Sequence, residues 1–248
     1  MTPLTHTQIL QQGYNCLLFD AALLPSVDSN LFQPDWLQQH AELHATTSGR
    51  GQSWFVNFRQ QNWVLRHYLR GGMVSRFNRD MYFSWQPEST RAWKEWRLLQ
   101  HMRALQLPVP RPVAARAYWP AGRHTGFYRA DILLETIANC TTLSAMLQHQ
   151  AVPATIWHNI GRCIKAFHQQ QIYHADLNAN NILVDTQQKI HLIDFDRCRI
   201  TSRQNLLASN LPRLQRSLLK LQTLHQEFQF KSPDWQTLMA SYNDNSAA

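Results

Sequence analysis

Charged residues are scarce in this sequence, and several common sequence patterns are missing from it. Asp, Glu, Lys and Arg make up only 16% of the 248 residues. Nine Trp and eleven Phe residues still provide enough apolar surface for a substantial core, which excludes a disordered chain. No apolar run approaches the roughly 18 residues of a membrane-spanning helix, and the polar segment Met1–Gln12 lacks the basic start of a signal peptide. We therefore expect a soluble or peripheral protein on the cytosolic side of a membrane.

Cysteine is also rare. The four cysteines lie far apart and include no CxxC pair: Cys16, Cys140, Cys163 and Cys198. This spacing indicates neither a zinc site nor a disulfide framework, and it fits a reducing compartment best.

Positive charge is concentrated in the middle of the chain. Residues 1–48 carry four acidic residues and no Lys or Arg, residues 49–129 carry 14 basic and three acidic residues, and the remainder carries ten and nine. The three segments therefore have net charges of −4, +11 and +1, which sum to the overall +8. A cationic surface of this kind usually binds phosphate groups, whether of a nucleotide, a nucleic acid or an anionic lipid.

The apolar patterns predict an α+β chain with two lobes. Residues 49–137 have strand-like composition around one long helix, Thr90–Leu105, and are predicted to form a small, mostly antiparallel β lobe. Residues 138–248 are predicted to form a mostly helical lobe, whose first long helix begins after Pro153. Residues 1–48 are expected to be an N-terminal extension that packs on the small lobe.

Acidic residues cluster in the second lobe. Four of the sixteen acids fall within 21 residues and are interleaved with apolar strand segments: Asp176, Asp185, Asp194 and Asp196. Buried carboxylates are costly unless they are paired, so a cation is the economical partner. Mg²⁺ prefers a few oxygen ligands together with substrate phosphates, and the amide oxygen of Asn181 can supply one more ligand. The pattern therefore indicates a magnesium site.

Two motifs in this region resemble known catalytic loops. The segment HADLNANN over residues 174–181, followed by LIDF over residues 192–195, resembles the catalytic and metal-binding loops of the protein-kinase-like superfamily. The resemblance implies a bilobal protein-kinase-like fold that uses ATP and Mg²⁺. By this resemblance, Asp176 orients the acceptor hydroxyl and receives its proton, whereas Asn181 and Asp194 hold Mg²⁺ against the nucleotide phosphates. His174 would brace the loop by hydrogen bonding.

The sequence departs from protein kinases at several positions. Asp196 stands where protein kinases usually have Gly, Ala175 stands where they often have Arg, and no APE-like segment follows. These departures favour phosphorylation of a small molecule or a glycolipid over phosphorylation of a protein.

The lysine that binds nucleotide phosphates in this superfamily is missing too. No Lys occurs between Gly49 and Trp93, and Arg66 occupies the strand where that Lys is expected. We predict that Arg66 binds phosphate oxygens and pairs with Glu95, the only acid of the following helix. Gly49 and Gly51, before the first strand, are candidates for the loop that covers the phosphates.

A longer resemblance concerns the acceptor. Several segments look like those of the lipopolysaccharide-core kinases, in particular the 3-deoxy-D-manno-octulosonic acid (Kdo) kinase family: Trp63–Tyr68, Leu107–Val113, Tyr173–Asp176 and Ile193–Arg199. The likeness covers nearly the whole chain and is strongest over Ile172–Arg199. It implies transfer of the γ-phosphoryl group of ATP to the 4-hydroxyl of Kdo in a Kdo-lipid A precursor, by a peripheral protein at the cytoplasmic side of the bacterial inner membrane.

The arginines suit an anionic acceptor. Arg outnumbers Lys by 19 to five, and Arg is the better residue for bidentate contacts with carboxylates and phosphates. Arg197 and Arg199, just after Asp194, are candidates for binding the acceptor carboxylate or a lipid phosphate. Structural ion pairs explain these two arginines equally well.

A further segment is a candidate for contact with an anionic membrane. Apolar and aromatic residues there are interleaved with arginines: Met73, Val74, Arg76, Phe77, Arg79, Tyr82, Phe83 and Trp85. This mixture suits the headgroup region of an anionic bilayer, although core packing explains the aromatic residues nearly as well.

Other functions remain open at this point. A heptose kinase of the same pathway, or a small-molecule kinase of the aminoglycoside or choline type, would carry the same motifs. A non-catalytic kinase-like protein that binds anionic lipid is a further alternative, although the intact Asp176, Asn181 and Asp194 argue against it. No base-stacking or groove-binding element is recognisable, so no nucleic-acid partner is expected, and no obligate protein partner is inferred.

Overall fold

The chain divides into two compact units. The computed structural model describes residues 6–48, 51–69 and 80–244. Unit 1 comprises residues 1–104 and 110–136, and unit 2 comprises residues 105–109 and 137–248. Unit 1 is built on an antiparallel sheet with one long helix and unit 2 is mostly helical, so the predicted α+β class is confirmed.

The described part of unit 1 contains an eight-stranded antiparallel sheet. Its strands are β1 (Thr7–Gln12), β2 (Asn15–Asp20), β3 (Glu42–Ser48), β4 (Gly51–Phe58), β5 (Gln61–His67), β6 (Tyr82–Phe83), β7 (Pro112–Tyr118) and β8 (Phe127–Glu135). Seven strands follow the order β1-β2-β7-β8-β5-β4-β3, and β6 pairs with β8. The two last strands of the unit, β7 and β8, therefore lie between strands from its first half.

The hairpin between β4 and β5 has a two-residue turn. In the sequence, the polar residues 59–62 separate two runs of strand-like composition, a pattern that predicts a hairpin. In the structure only Arg59 and Gln60 connect the strands, with φ angles of 51° and 63°. Two consecutive residues with positive φ are typical of a two-residue type I′ turn, whose twist matches that of the flanking strands. Asn62 therefore belongs to β5, where it pairs with Asn57.

Two helices accompany this sheet. Helix α1 (Pro34–His40) begins at the Pro-Asp pair that the sequence marks as a helix start, and α2 (Arg91–Ala104) lies within the predicted helix Thr90–Leu105. The apolar stripe of α2 packs against β7 and β8 and is fully buried: Trp93, Trp96, Leu99 and Met102.

The first 48 residues, expected to be an extension, contribute strands to the sheet itself. β2 pairs with β7, and β3 pairs with β4. Buried side chains of this N-terminal segment form one core with buried residues of β4, β5, β7 and β8: Leu17, Phe19, Leu24, Val27, Leu31, Phe32 and Leu37. Trp63 and Leu65 of β5 face this core, whereas the alternate residues of β5 point to the opposite face.

A buried charged cluster connects the N-terminal segment to the sheet. Asp131 on β8 contacts His67 Nδ1 at 2.6 Å and Arg116 Nε at 2.7 Å, and Arg116 also donates to the carbonyl oxygen of Phe32 at 3.4 Å. Burial lowers the pKa of His67, but the hydrogen bond and the charge of Asp131 outweigh it, so this pKa lies above its usual value. The buried carboxylate of Asp131 is thus compensated by the cationic Arg116 and by a hydrogen bond with His67.

Unit 2 surrounds a helical core with short strands. Its helices are α3 (Leu143–His149), α4 (Ala154–Gln169), α5 (Gln204–Ala208), α6 (Asn210–Leu224) and α7 (Ser232–Asn243). Its strands are β9 (Cys140–Thr142), β10 (Ile172–Tyr173), β11 (Ile182–Asp185), β12 (Ile190–Leu192) and β13 (Arg199–Ile200), paired in the orders β12-β11-β9 and β10-β13. Helix α4 begins after Pro153 as predicted, and its stripe of Ile156, Ile160, Ile164 and Phe167 is buried.

Across the described ranges, no helix is both long enough and apolar enough to cross a membrane.

Helices α4 and α7 are in close contact at Gly161. A methyl group placed on Gly161 would overlap the carbonyl oxygen of Leu238 and lie 3.0 Å from the backbone nitrogen of Tyr242. Because these are backbone atoms of α7, the contact is relieved only if the whole helix moves. The absence of a side chain at residue 161 therefore sets the distance between the two helices.

We predict that Gly161→Ala lowers the free energy of unfolding by about 1–3 kcal/mol, since overpacking of a core costs this much. In an exposed helix the same change would stabilise by about 1 kcal/mol, so the sign of the effect is diagnostic. Urea unfolding followed by circular dichroism measures it. Arg162→Ala, at the next, exposed position of α4, is the control and should stay within about 0.5 kcal/mol of wild type. A Gly161→Ala variant as stable as wild type would contradict the close packing.

Candidate active site

The three residues that the motifs single out, Asp176, Asn181 and Asp194, meet in unit 2. Asp176 follows β10, Asn181 immediately precedes β11, and Asp194 follows β12. The side-chain amide of Asn181 donates to the carbonyl oxygen of Asp176 at 2.9 Å, and the N–H of Ile193 donates to the carbonyl oxygen of Asn181 at 3.1 Å. The antiparallel pairing of β11 with β12 thus brings the beginning of the second motif beside the end of the first.

His174 is buried beneath this loop. Its Nδ1 accepts a hydrogen bond from the N–H of Asp176 at 3.2 Å, and its Nε2 lies 3.0 Å from the carbonyl oxygen of Ile193, to which it can only donate. The two partners together require a neutral ring with its proton on Nε2. Burial lowers the pKa of His174, which favours the same neutral form. The ring therefore links the Asp176 loop to the segment that carries Asp194.

Asp194 has a left-handed backbone conformation, with φ of 65°. Residues with a β-carbon rarely adopt this conformation, although Asp and Asn tolerate it best, and it persists where the surroundings fix it. Here β12 holds one side and Phe195 the other, since the buried Phe195 ring lies 5.9 Å from Phe167 and 4.9 Å from His174, measured between ring centroids. Backbone strain is thus stored at the predicted metal ligand.

The carboxylate of Asp176 forms an ion pair that the sequence did not predict. Arg213 on α6 donates to Asp176 Oδ1 through Nε at 3.1 Å and through Nη2 as well. Both side chains are about half exposed, 53% for Asp176 and 44% for Arg213. Since 37 residues separate them in the sequence, no motif spacing connects the two.

Helix α6 is tied to the loop on both sides of Arg213. Asn210 donates to the carbonyl oxygen of His174 at 2.6 Å and accepts from its N–H at 3.2 Å, and the N–H of Ala179 donates to Ser217 Oγ at 3.5 Å. Residues 210, 213 and 217 lie on one face of a helix. One signal was present in the sequence, because the polar Asn210 is in phase with the apolar stripe of Leu214 and Leu218, which indicates a buried hydrogen-bonding role.

The Asn210 contact extends to two further helices. His168 on α4 lies 3.1 Å from Asn210 Oδ1 through Nε2 and 2.8 Å from the hydroxyl of Tyr242 through Nδ1. Burial lowers the pKa of His168, so the ring is neutral, donates to Asn210 and accepts from Tyr242. A continuous chain of hydrogen bonds therefore runs from α7 through α4 and α6 to the loop.

Cys198 is a further residue that sequence reasoning did not place here. Its Sγ accepts a hydrogen bond from the N–H of Ala175 at 3.1 Å and lies 3.9 Å from the carbonyl oxygen of Asp194. The thiol thus fills the space between the two motifs as a small polar group.

In unit 1, Arg66 and Glu95 form the predicted pair. Arg66 Nη1 lies 2.9 Å from Glu95 Oε1, and the hydroxyl of Tyr68 donates to Glu95 Oε2 at 2.5 Å. Glu95 is buried, so it is not a solvated surface charge of α2. Two hydrogen bonds, one of them from a cation, offset the cost of burying its carboxylate. Arg66 and Tyr68 project from the face of β5 opposite to Trp63 and Leu65.

The other predicted site residues lie at the surface or outside the described ranges. Gly51 is the first residue of β4 and pairs with Ser48, whereas Gly49 falls outside the described residues. Arg197 is exposed, with φ of 61°, and the exposed Arg199 lies over the ring of Tyr173 at 5.5 Å. Neither arginine forms an ion pair with an acidic residue in the part of the chain that the structure describes.

The donor set around Asn181 and Asp194 fits a hard divalent cation. The described residues include no cluster of three or more His, Cys, Asp or Glu side chains that could hold a metal by themselves. Mg²⁺ is commonly held by one or two protein oxygens together with substrate phosphates, so a sparse site agrees with its chemistry. Asn181 uses its Nδ2 to bind the carbonyl oxygen of Asp176, which turns its Oδ1 away from that atom and leaves it as a possible ligand.

Comparison with known proteins identifies relatives along most of the chain. The model of the lipopolysaccharide kinase (Kdo/WaaP) family matches residues 34–242. A 3-deoxy-D-manno-octulosonic acid kinase of Vibrio cholerae serotype O1 is 39% identical, over 82% of this chain and 84% of the relative. Proteins of the same name from Actinobacillus succinogenes and Haemophilus influenzae are 38% and 37% identical, over 87% and 95% of this chain and 91% and 99% of the relatives.

A solved structure also resembles the chain. It is the co-crystal structure of WbdD with the kinase inhibitor LY294002, with a TM-score of 0.45 and 17% sequence identity over 80% of this chain and 44% of that one. The family match spans well over half of the chain, and the relatives are matched over most of their own length. The chain therefore belongs to the lipopolysaccharide kinase (Kdo/WaaP) family, and it is a phosphotransferase with an alcohol group as acceptor.

Proposed function

We propose that this kinase transfers the γ-phosphoryl group of ATP to the 4-hydroxyl of the Kdo residue of a Kdo-lipid A precursor. The named Kdo kinases, similar over nearly their whole length, support the acceptor. The observation that carries the proposal is the half-exposed carboxylate of Asp176. Its loop is held to the side chain of Asn181 by one hydrogen bond, and the backbone of Asn181 is held to the Asp194 segment by another. An acceptor hydroxyl can reach such a carboxylate from solvent.

The site residues of unit 2 have different roles in the reaction. Asp176 orients the acceptor hydroxyl and receives its proton, a step for which positioning matters most. Asn181 Oδ1 and the Asp194 carboxylate would hold Mg²⁺, which when bound neutralises charge on the nucleotide phosphates. His174 is a positioning residue, because its two ring nitrogens are occupied by the N–H of Asp176 and by the carbonyl oxygen of Ile193, the residue before Asp194.

Arg66 takes the role of the missing lysine in nucleotide binding. Its guanidinium is fixed by Glu95, which is itself fixed by Tyr68. A guanidinium presents several donors in a rigid fork, so it can bind phosphate oxygens while it keeps one contact with a carboxylate. Gly49 and Gly51 would cover the phosphates, with Gly51 at the start of β4.

The protein acts as a peripheral protein at the cytoplasmic side of the inner membrane, where a lipid-linked acceptor lies. Of the segment proposed for membrane contact, Arg76 and Arg79 lie outside the described residues, as do Met73, Val74 and Phe77. Tyr82 is buried against Tyr128, so it is a core residue. Phe83 and Trp85 are exposed by 53% and 56% and, with the 46% exposed Phe127, form an aromatic patch.

The chain beside the aromatic patch carries an arginine. Trp85 donates to the carbonyl oxygen of His124, and Arg123, the residue before His124, lies over the ring of Trp119 and donates to Gln11 Oε1. Exposed aromatic rings beside cationic side chains suit the headgroup region of a bilayer with anionic lipids. Arg197 and Arg199, exposed after Asp194, are proposed to contact anionic groups of the acceptor.

We predict that label from γ-labelled ATP appears on the Kdo-lipid A precursor and that Asp176→Asn lowers kcat about 10²- to 10⁴-fold, because the acceptor hydroxyl loses its proton acceptor. The assay offers the precursor beside a heptosylated core, an aminoglycoside and choline, and NMR of the product locates the phosphate. Asp185→Asn, an acid of the same segment at the end of β11, is the control and should retain activity.

Other outcomes of this assay would decide between the alternatives. Label on the heptosylated core or on a small molecule alone would assign another acceptor, and absence of transfer to any acceptor would support a non-catalytic lipid-binding protein. Substantial turnover by Asp176→Asn would contradict the mechanism.

We predict that Arg66→Met raises the KM for ATP roughly 10- to 100-fold, the cost of losing one charge-assisted contact to phosphate. Arg66→Lys should recover part of the loss, because it restores the charge but not the fork. Arg97→Met, which removes an exposed arginine of α2, is the matched control and should leave KM unchanged. Equal KM values for the Arg66→Met and Arg97→Met variants would show that Arg66 does not bind the nucleotide.

We predict that the double variant Phe83→Ser/Trp85→Ser binds phosphatidylglycerol-containing vesicles at least about 10-fold more weakly, since two rings no longer enter the headgroup region. Vesicle co-sedimentation measures binding, and circular dichroism checks the fold. Leu219→Ser/Leu224→Ser removes two exposed apolar side chains of α6 and is the control. Undiminished binding by the aromatic variant would exclude the patch.

A further inference from the structure

Arg213 has unused capacity to bind an anion beside the proposed catalytic carboxylate. Of the five N–H donors of its guanidinium, the Nε–H and one on Nη2 contact Asp176 Oδ1. The structure shows no other hydrogen bond of this side chain among the described residues. Because 44% of the side chain is exposed, the remaining donors are accessible to a ligand that approaches Asp176.

The position of Arg213 is fixed by the scaffold. Asn210, three residues earlier, holds both polar groups of the His174 backbone, and Ser217, four residues later, accepts from the N–H of Ala179. The helical turn that carries Arg213 is therefore attached to the loop on either side of Asp176. These contacts keep the helical turn of Arg213, and with it the guanidinium, close to Asp176 when a ligand binds.

Stability alone does not explain the pair. Ion pairs between half-exposed side chains contribute only about 0–1 kcal/mol. The pair also occupies Oδ1 of the group that is proposed to receive the hydroxyl proton, so the acceptor must share or displace this contact when it binds. A second anion, brought by the acceptor, would take part of the guanidinium and release the carboxylate oxygen towards the hydroxyl.

We propose that Arg213 binds the carboxylate of the acceptor sugar and so couples recognition of that carboxylate to the alignment of Asp176. The inference rests on the proposed function, in which the acceptor is Kdo. Kdo carries its carboxylate on the same sugar ring as the reacting hydroxyl, whereas the phosphates of the lipid A part lie on other sugars. An arginine in contact with Asp176 is therefore placed for the carboxylate, which it can hold with two parallel hydrogen bonds.

The test compares two acceptors and three variants. The acceptors are the Kdo-lipid A precursor and its Kdo methyl ester, which has the same sugar without the negative charge. The variants are Arg213→Met, Arg213→Lys and, as matched control, Arg216→Met, which removes another exposed arginine one turn further along α6. Initial rates give kcat/KM for each combination, and thermal unfolding checks each fold.

Arg213→Met should lower kcat/KM roughly 10- to 100-fold with the carboxylate acceptor, as expected for one lost charge-assisted pair, and leave it within about threefold of wild type with the ester. The wild-type enzyme should have a kcat/KM roughly 10- to 100-fold higher with the carboxylate acceptor than with the ester. Arg213→Lys should lie between, and Arg216→Met should match wild type with both acceptors. A purely structural role would not distinguish the two acceptors.

Several results would overturn the inference. Equal losses with both acceptors would reduce Arg213 to a residue that positions Asp176, and a raised KM for ATP with both acceptors would assign it to the nucleotide. A dephosphorylated precursor serves as a third acceptor. If Arg213→Met lowers kcat/KM with the methyl ester but not with the dephosphorylated precursor, the anion that Arg213 binds is a lipid phosphate. If wild type labels neither Kdo acceptor, the proposed function itself fails, which is distinguishable from all of these.

Discussion

One side chain, Asn210, satisfies both polar groups of the His174 backbone, and the geometry of the proposed catalytic loop depends on this contact. A buried donor or acceptor left without a partner costs about 1–3 kcal/mol, and Asn210 protects two of them at once. Its own oxygen is shared with His168, which accepts from Tyr242. The loop is therefore held by three helices, none of which carries a motif residue. Because both histidines are neutral in this arrangement, the support does not depend on charge.

Strand β5 serves two environments through its alternating side chains. Trp63 and Leu65 belong to the core with the N-terminal segment, and His67 on the same face joins the Asp131 cluster. Arg66 on the other face meets Glu95. Two buried carboxylates therefore each bind an arginine and one further group. Glu95 binds Arg66 and Tyr68. Asp131 binds Arg116 and His67. The proposed nucleotide contact is consequently carried by a strand whose opposite face is part of the core.

Sequence reasoning succeeded where the determinants are local. The spacing of Asp176, Asn181 and Asp194 reflects two strands joined by a short hairpin, so it predicts their meeting in space. The stripe of α2 likewise predicts its buried face, and Arg66 and Glu95 could be paired because the order of strand and helix limits the choices. Arg213 and Asn210 could not be assigned, since their positions depend on how α6 packs on the loop rather than on spacing. Tyr82 and Phe83 could not be distinguished for the same reason. The two residues are adjacent and aromatic, and only the orientation of β6 in the sheet buries Tyr82 and exposes Phe83.

The strand order of unit 1 also determines when the unit can fold during synthesis. β2 and β5 are made first but lie on either side of β7 and β8, whose pairings involve residues up to Glu135. Closing such long loops delays folding, and strands that lack their neighbours expose edges open to wrong pairing. Until the ribosome has released β8, the nascent chain has two separate halves of a sheet, β1-β2 and β3-β4-β5. The first hundred residues are therefore not an independent folding unit. A chain that stops before β8 cannot complete the sheet however long it is given, so it should need a chaperone.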